Sequence, residues 1–429
     1  MVQFEDFLTK VESVDLAPEH VDLVRRARKV GQEVIGPAAF AVDADRRFPR
    51  ESMAALHAAG LTTLYVPESA GGTGLEAARS ILPQALLQME IAAWCSSTAQ
   101  VYGSHSNVMR YITMLGSDAL RAFFHEEASA GRFFASFGSE RNADKFAIKS
   151  SLEHMGTHYL LNGRKHFATS STGSSWAFWV SMTRDGQMIM PIVDLRAPGI
   201  IITDNWMGVG QRGTGSGVVT AENVTVPTGH VLTSDHPAYR MILIENAVHL
   251  NFASIYAGIA LGAYRAGVNY VREKTKPWRG LESASKDPFL RLRVADMAVK
   301  ISAARQLVIK AAQIYERFVD EPAADPLTAS AVAQAKVMAT QAALDVTSDI
   351  FQVMGASSAT TTYGFDRYFR DARTLTLHDP IDRRRELIGA VELGSERDFA
   401  ATLLSEPGAS NPQHDPALLA LARLSAERG

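Results

Sequence analysis

The stretch Gly208-Val209-Gly210-Gln211-Arg212-Gly213 matches the glycine fingerprint of dinucleotide-binding loops letter for letter. That fingerprint grips a pyrophosphate only where a strand runs through it into a helix whose N-terminus faces the phosphates. Here the residues that follow, Val218 to Val226, read as a strand, so such a site is excluded. No Walker-type phosphate loop, HExxH pair or CxxC pair occurs, and no metal site is expected. The lone cysteine, Cys95, cannot form an internal disulfide and fits a reducing compartment. Ser216 lies among glycines but not at nucleophile-elbow spacing, and reads as a loop serine. Phe167 and Thr169 close an apolar strand; a flat ring there can stack on another ring, and a hydroxyl can both donate and accept. Histidines supply groups that change charge near neutrality.

The elements that must hold these residues fall into three textures. Up to about residue 130 the pattern is helical, with apolar residues at three-to-four spacing in Glu19 to Val34 and in Ala77 to Ile91. Val66-Pro67-Glu68 and Gly71-Gly72-Thr73-Gly74 supply the turn between them. From about 132 to 237 short apolar runs predict an antiparallel β-unit, and Asn162-Gly163 after Tyr159-Leu160-Leu161 predicts a hairpin turn. From about 238 helical periodicity returns. Val294, Met297, Ile301, Ala304, Val308, Ala311, Tyr315 and Phe318 form one seam; Val332, Ala335, Ala339, Ala342, Val346 and Val353 form a second. Glu321-Pro322-Ala323-Ala324-Asp325-Pro326 predicts the connection between them. A polar tail follows, with a short amphipathic stretch at Leu418 to Leu424.

The 429 residues are too many for one ordinary core. A formal net charge of −3 gives no electrostatic case for binding nucleic acid or an anionic membrane. The first residues lack the basic start and apolar core of a signal peptide, and no charge-free apolar run nears the roughly 20 residues a membrane helix needs. A cytoplasmic protein is expected.

Several stretches, in order and spacing, resemble the acyl-CoA dehydrogenase superfamily. Gly60-Leu61 through Gly74 is similar to its N-terminal signature, and Ser139-Glu140 to the opening of its β-domain. Leu161 to Thr169 is similar to its flavin-facing strand. Gly208 to Gly217 followed by Asn223 to Pro227 resembles the close of the β-domain. Gln352-Val353-Met354-Gly355 and Phe369-Arg370-Asp371-Ala372-Arg373 resemble the flavin-contacting end of its bundle. The resemblance implies an α+β multidomain fold. An N-terminal α-helical domain (1–131), a central antiparallel β-domain (132–237) and a C-terminal four-helix bundle (238–394) would precede the tail (395–429). It also implies a homotetramer with the flavin site completed across subunits.

A dehydrogenase of this superfamily carries a glutamate base after the Arg-Asp-Ala motif or on the first bundle helix. The first position is Asp379, in His378-Asp379-Pro380; at the second, Glu245 lies almost a turn away. The run Arg373 to Pro380, preceded by Tyr363 to Arg367, resembles instead the dibenzothiophene monooxygenase-type branch. Tyr102-Gly103-Ser104-His105, Asp204-Asn205-Trp206 and Lys276-Pro277-Trp278 add to that likeness. What it implies is a two-component monooxygenase that takes reduced FMN from a separate NAD(P)H-dependent flavin reductase. It would oxygenate a small hydrophobic organic substrate through a C4a-hydroperoxyflavin. The competing reading is an acyl-CoA dehydrogenase using FAD. The implied catalytic residues are His378 and, across the pocket, His105, with Thr169 beside flavin N5. The implied cofactor contacts are Ser139, Phe167, Thr169, Trp206, Lys276, Gln352, Gly355 and Arg373.

Overall fold

A computed structural model describes residues 16–141, 148–232, 237–321 and 325–395. The first helices are α1 (Pro18–Val30), α2 (Gly36–Ala44) and α3 (Arg50–Ala58), with one π-helical turn, Gly31–Ile35, between the first two. Then come α4 (Ile81–Trp94), α5 (Ser96–Leu115) and α6 (Asp118–Ser129). Ser117 caps α6 by accepting from Leu120 N.

The strands are β1 (Phe134–Phe137), β2 (Ser151–His154), β3 (His158–Lys165), β4 (Trp176–Trp179), β5 (Ser181–Met182), β6 (Met188–Asp194), β7 (Ile200–Thr203), β8 (Val218–Pro227) and β9 (Val231–Leu232). They pair in the order β1-β4-β6-β5-β2-β3-β8-β7, with β9 added to β6. The sheet is mixed, because β1 pairs with β4, and β2 with β5, in parallel. Asn162-Gly163 is not the hairpin turn its spelling predicts. It sits inside β3, where the register to β8 shifts between Leu161 and Gly163. A side chain at Gly163 would lie 2.1 Å from Ser150 Oγ, so glycine lets β2 approach closely. The turn joining β2 to β3 falls instead at Gly156, whose φ is +87°.

The C-terminal helices are α7 (Pro237–Glu273), α8 (Pro288–Phe318), α9 (Asp325–Met354), α10 (Asp366–Leu375) and α11 (Ile381–Glu392). Asp287 caps α8 through Phe289 N and Leu290 N, with Pro288 in its first turn. The seam residues Met297, Ile301, Ala304, Val308, Ala311 and Tyr315 are buried, as are Val332, Ala335, Ala339, Ala342, Val346 and Val353. Of the prolyl connection, 322–324 lie outside the described residues while Asp325 already opens α9; the amphipathic stretch at 418–424 also lies outside them. The long helices α7, α8 and α9 pack on each other, and α4 of the N-terminal segment lies along α7 and α8. One apolar core therefore spans both helical segments, while a second lies within the sheet. Part of α7, Leu243–Glu273, is apolar and long enough to cross a membrane, but 94% of its most apolar window is buried inside the protein.

Candidate functional site

The turn after β3 carries Phe167 and Thr169, and backbone hydrogen bonds hold it on two sides. His166 N donates to Ser139 O (3.0 Å), Ala168 N to Gly217 O (3.1 Å) and Ser170 N to Thr214 O (2.9 Å). The turn is thereby fixed to the exit of β1 and to the glycine-rich loop 208–217. Phe167 has φ +53°, an unfavourable conformation for a bulky residue that only enforced surroundings maintain. Its ring is 66% exposed and meets Trp206 edge-on, with centroids 6.1 Å apart. Ser139, Phe167, Thr169 and Trp206 thus gather at one place.

A chain of hydroxyls runs back from Thr169. Its Oγ1 lies 2.9 Å from Ser216 Oγ, which lies 2.7 Å from Thr214 Oγ1. Thr214 donates its proton to Gln211 O at 2.8 Å. A carbonyl can only accept, so the direction of the chain is set: Ser216 donates to Thr214, and Thr169 donates to Ser216. Thr169 Oγ1 keeps only acceptor capacity for anything placed before it. Trp206 Nε1 donates to the same Gln211 carbonyl at 2.8 Å.

Loop 208–217 is pinned in turn to α10. Gln211 N donates to Asp371 Oδ1, Ser96 Oγ donates to Asp371 Oδ2, and Gly210 N donates to Thr374 Oγ1 (2.8 Å). A side chain at Gly210 would lie 2.1 Å from Arg370 O, so only glycine permits this approach. Arg370 spans Asp43, Asp366 and Val209 O. Burial pushes the Asp371 carboxyl up to about 6, against the hydrogen bonds from Ser96 and Gln211 N that favour its ionised form.

The turn from α10 to α11 presents His378. Leu375 O accepts from His378 N (3.0 Å) and from Tyr256 Oη (3.0 Å), tying the turn to α7. The imidazole packs on Phe252 with ring centroids 4.2 Å apart, and the Lys336 ammonium lies 5.6 Å from the same Phe252 ring. Crowding and then Lys336 push the His378 pKa down, with Asp379 opposing. Part of its surface is open to solvent, which softens that shift. Asp379 itself is held far below the ordinary carboxylate range, because Lys336 (2.7 Å) and Arg384 (3.0 Å) outweigh its burial. Glu245 lies 2.7 Å from His249 Nε2, and burial pushes its carboxyl up.

His105 is held by groups other than those around His378. It is buried in α5, with Nε2 2.7 Å from Thr62 O and its ring 5.7 and 5.6 Å from Phe133 and Phe134. None of these neighbours touches His378 among the described contacts, and burial pushes the His105 pKa down to about 4. A neutral imidazole donating to a carbonyl is a link between α5 and the segment before it. Lys276, Gln352 and Gly355 share another region. They are exposed at the C-terminal ends of α7 and α9, where Thr275 Oγ1 approaches Met354 O (3.4 Å). No described contact joins them to the Phe167 turn. Arg373 is exposed on α10, between Asp371 and the His378 turn.

Sequence models of the acyl-CoA dehydrogenase N-terminal and C-terminal domains match residues 17–132 and 250–383. A dibenzothiophene monooxygenase of Mycolicibacterium goodii is 30% identical over 360 residues, which are 78% of this chain and 85% of that protein. The chain belongs to the acyl-CoA dehydrogenase superfamily. A probable FMNH2-dependent monooxygenase, SfnC, of Pseudomonas putida is 28% identical over 395 residues, 87% of this chain and 96% of its own. The crystal structure of FMN-bound TdsC from Paenibacillus sp. A11-2 matches with a TM-score of 0.82 at 24% identity. It covers 87% of this chain and 97% of that one, a likeness of fold.

Within this superfamily fold, some residues of the site were not singled out by sequence reasoning. Ser216 reads as a loop serine but is the middle of the hydroxyl chain. Asp371 stands in a recognised motif, yet its grip on the glycine loop depends on a contact 160 residues away. Lys336 follows Val332 by four residues and precedes Ala339 by three, a spacing that puts a charge on a buried helix face.

Proposed function

We propose that the protein is a monooxygenase that uses reduced FMN and molecular oxygen on a small hydrophobic organic substrate. One observation carries the reading. Asp379 occupies the place where a dehydrogenase of this superfamily would hold its base, and it is committed to Lys336 and Arg384. A carboxylate stabilised so strongly is a poor base for an α-proton, and the open group on that turn is the histidine beside it. Glu245 is the more basic acid, but His249 engages its oxygen.

The residues gathered around Phe167 fit a flavin. An exposed aromatic ring held in a left-handed conformation offers a flat apolar wall, and Trp206 encloses it from the side. Bound in its reduced form, FMN supplies the electrons that activate oxygen. Thr169 Oγ1, left with acceptor capacity, suits the N–H that a reduced flavin carries at N5. Phe167 and Trp206 exclude water from that face. His378, whose ring is neutral at neutral pH, accepts and returns a proton at its imidazole nitrogen. Ser139 would border the same space and Arg373 would contact the flavin from α10, while His105 would keep a structural part. Electrons from NAD(P)H reach the site through a separate flavin reductase. Lys276, Gln352 and Gly355 would serve the flavin of a neighbouring copy in a homotetramer; if dilution to monomers leaves FMN affinity unchanged, that sharing is wrong.

The test is to load the protein anaerobically with reduced FMN and mix it with oxygenated buffer in a stopped-flow instrument. The expected result is a long-lived near-ultraviolet absorbance transient, shortened about tenfold or more in His378→Ala and in Thr169→Ala. Tight FAD binding with bleaching by an acyl-CoA, and no transient, would return the protein to the dehydrogenases, with Glu245 as the base to mutate.

A further inference from the structure

Beneath the His378 turn, ionisable side chains from α7, α9, α11 and the turn itself meet in one cluster. Lys336, 1% exposed, lies 2.8 Å from His249 Nδ1 and 2.7 Å from Asp379 Oδ2. Arg384 lies 3.0 Å from Asp379 Oδ2 and 2.6 Å from His249 Nε2, the nitrogen that Glu245 Oε1 also approaches at 2.7 Å. A neutral imidazole accepts at one nitrogen only. With its proton on Nε2 toward Glu245, His249 leaves Nδ1 to accept from Lys336, and Arg384, whose N–H cannot bond a protonated Nε2, acts through its hydrogen bond to Asp379. Two acids and two cations then balance around a neutral ring, the condition under which such charges persist inside a protein.

We propose that Lys336 is a positioning residue: its ammonium clamps Asp379 to His249 and so fixes the turn that presents His378. A lysine in mid-helix serves no packing purpose that Met or Leu would not serve with less desolvation. Its partners are on the turn to one side and on α7 to the other, so removing it leaves Asp379 held by Arg384 alone and the turn, among the described residues, hydrogen-bonded to α7 only through Tyr256. The same charge acts on the His378 ring, which is also faced by Asp379 from its own turn and by His249 and Glu245 from α7; Arg384, from α11, reaches it only through Asp379 and His249. Burial pushes the Lys336 ammonium down to about 8, with Asp379 opposing, so the clamp is charged at neutral pH and weakens as pH rises beyond that value.

The inference rests on the reading that His378 handles the proton of the reaction, but its test needs no flavin. Histidine ring signals of the flavin-free full chain are followed by NMR against pH, with the His378 signal assigned by its loss in His378→Gln. In the wild type the midpoint should lie below the ordinary 6.5. Lys336→Met should raise it by about one pH unit, Lys336→Arg should leave it near wild type, and Asp379→Asn should lower it. A folded Lys336→Met chain with an unchanged His378 midpoint overturns the proposal. Where Lys336→Met does not fold, an unchanged midpoint in Asp379→Asn overturns it instead. A protein that titrates as expected but gives no transient with reduced FMN and oxygen sinks the oxygenase reading and leaves the clamp standing.

Discussion

The two polar regions on either side of α10 are built from opposite materials. Toward the sheet, the Phe167 turn and loop 208–217 are joined by hydroxyls, amides and carbonyls, with Asp371 the acid at their centre. Toward the bundle, α7, α9 and α11 meet through full charges, Lys336 and Arg384 against Asp379 and Glu245. Loops have free backbone groups to bond with, so a neutral network can hold them in place. Helices have none to offer along their length, so only side chains can tie them, and charged ones reach furthest. The neutral network should therefore fail by degrees and the charged one abruptly, because a buried ion left without its partner costs far more than a lost neutral hydrogen bond.

The largest effect tests the charged side. Asp379→Ala leaves Lys336 and Arg384 facing each other, and should cost about 3 kcal/mol in urea unfolding. A loss no greater than a surface ion pair would mean that the cluster relaxes freely, and the contrast would collapse. A smaller effect tests the acid at the centre of the other side. The folded pKa of Asp371, about 6, lies above its ordinary 3.8, so the native state holds this proton more tightly than the unfolded chain does. Its contribution to stability is full below about pH 4 and is lost as pH rises through 6. Asp371→Asn removes that dependence. The stability of the wild type relative to the variant should fall by about 2 kcal/mol between pH 4 and 7, and a flat difference would show that Asp371 is ionised throughout. The smallest effect belongs to Thr169→Val, which cuts the end of the hydroxyl chain and should lower stability by less than about 1 kcal/mol. A larger loss would make Thr169 a structural member of the turn.

Much of this architecture was legible because its signals are local. Helical seams repeat every three or four residues, and every named position of the α9 seam is buried. The glycines of loop 208–217 and the strand after them announced a loop without a dinucleotide, and the structure has Gln211 left-handed and Val218 entering β8. Where reading failed, the deciding partner was distant. Asn162-Gly163 spells a turn, yet Ser150 and β8 make it a bulge in a strand. The parallel pairing of β1 with β4 has no local signature, since alternation looks alike in either direction. His105 stands in a stretch that resembles the oxygenase pattern, and its contacts to Thr62 and to the phenylalanines at the start of the sheet are equally distant in sequence. The charged cluster combines residues from 245 to 384, and no spacing rule connects them.

The packing of α4 along α7 and α8 also bears on how the chain folds as it is made. Between α4 and α7 lies the whole sheet, so the shared core closes only after contacts form across more than a hundred residues of intervening chain. Such long-range closure is slow, and although α1 and α5 can cover part of the apolar α4 early, the face that meets α7 and α8 stays without its partners until those helices have emerged from the ribosome. A fragment ending after β9 should accordingly be sticky and poorly folded, however well its sheet is formed.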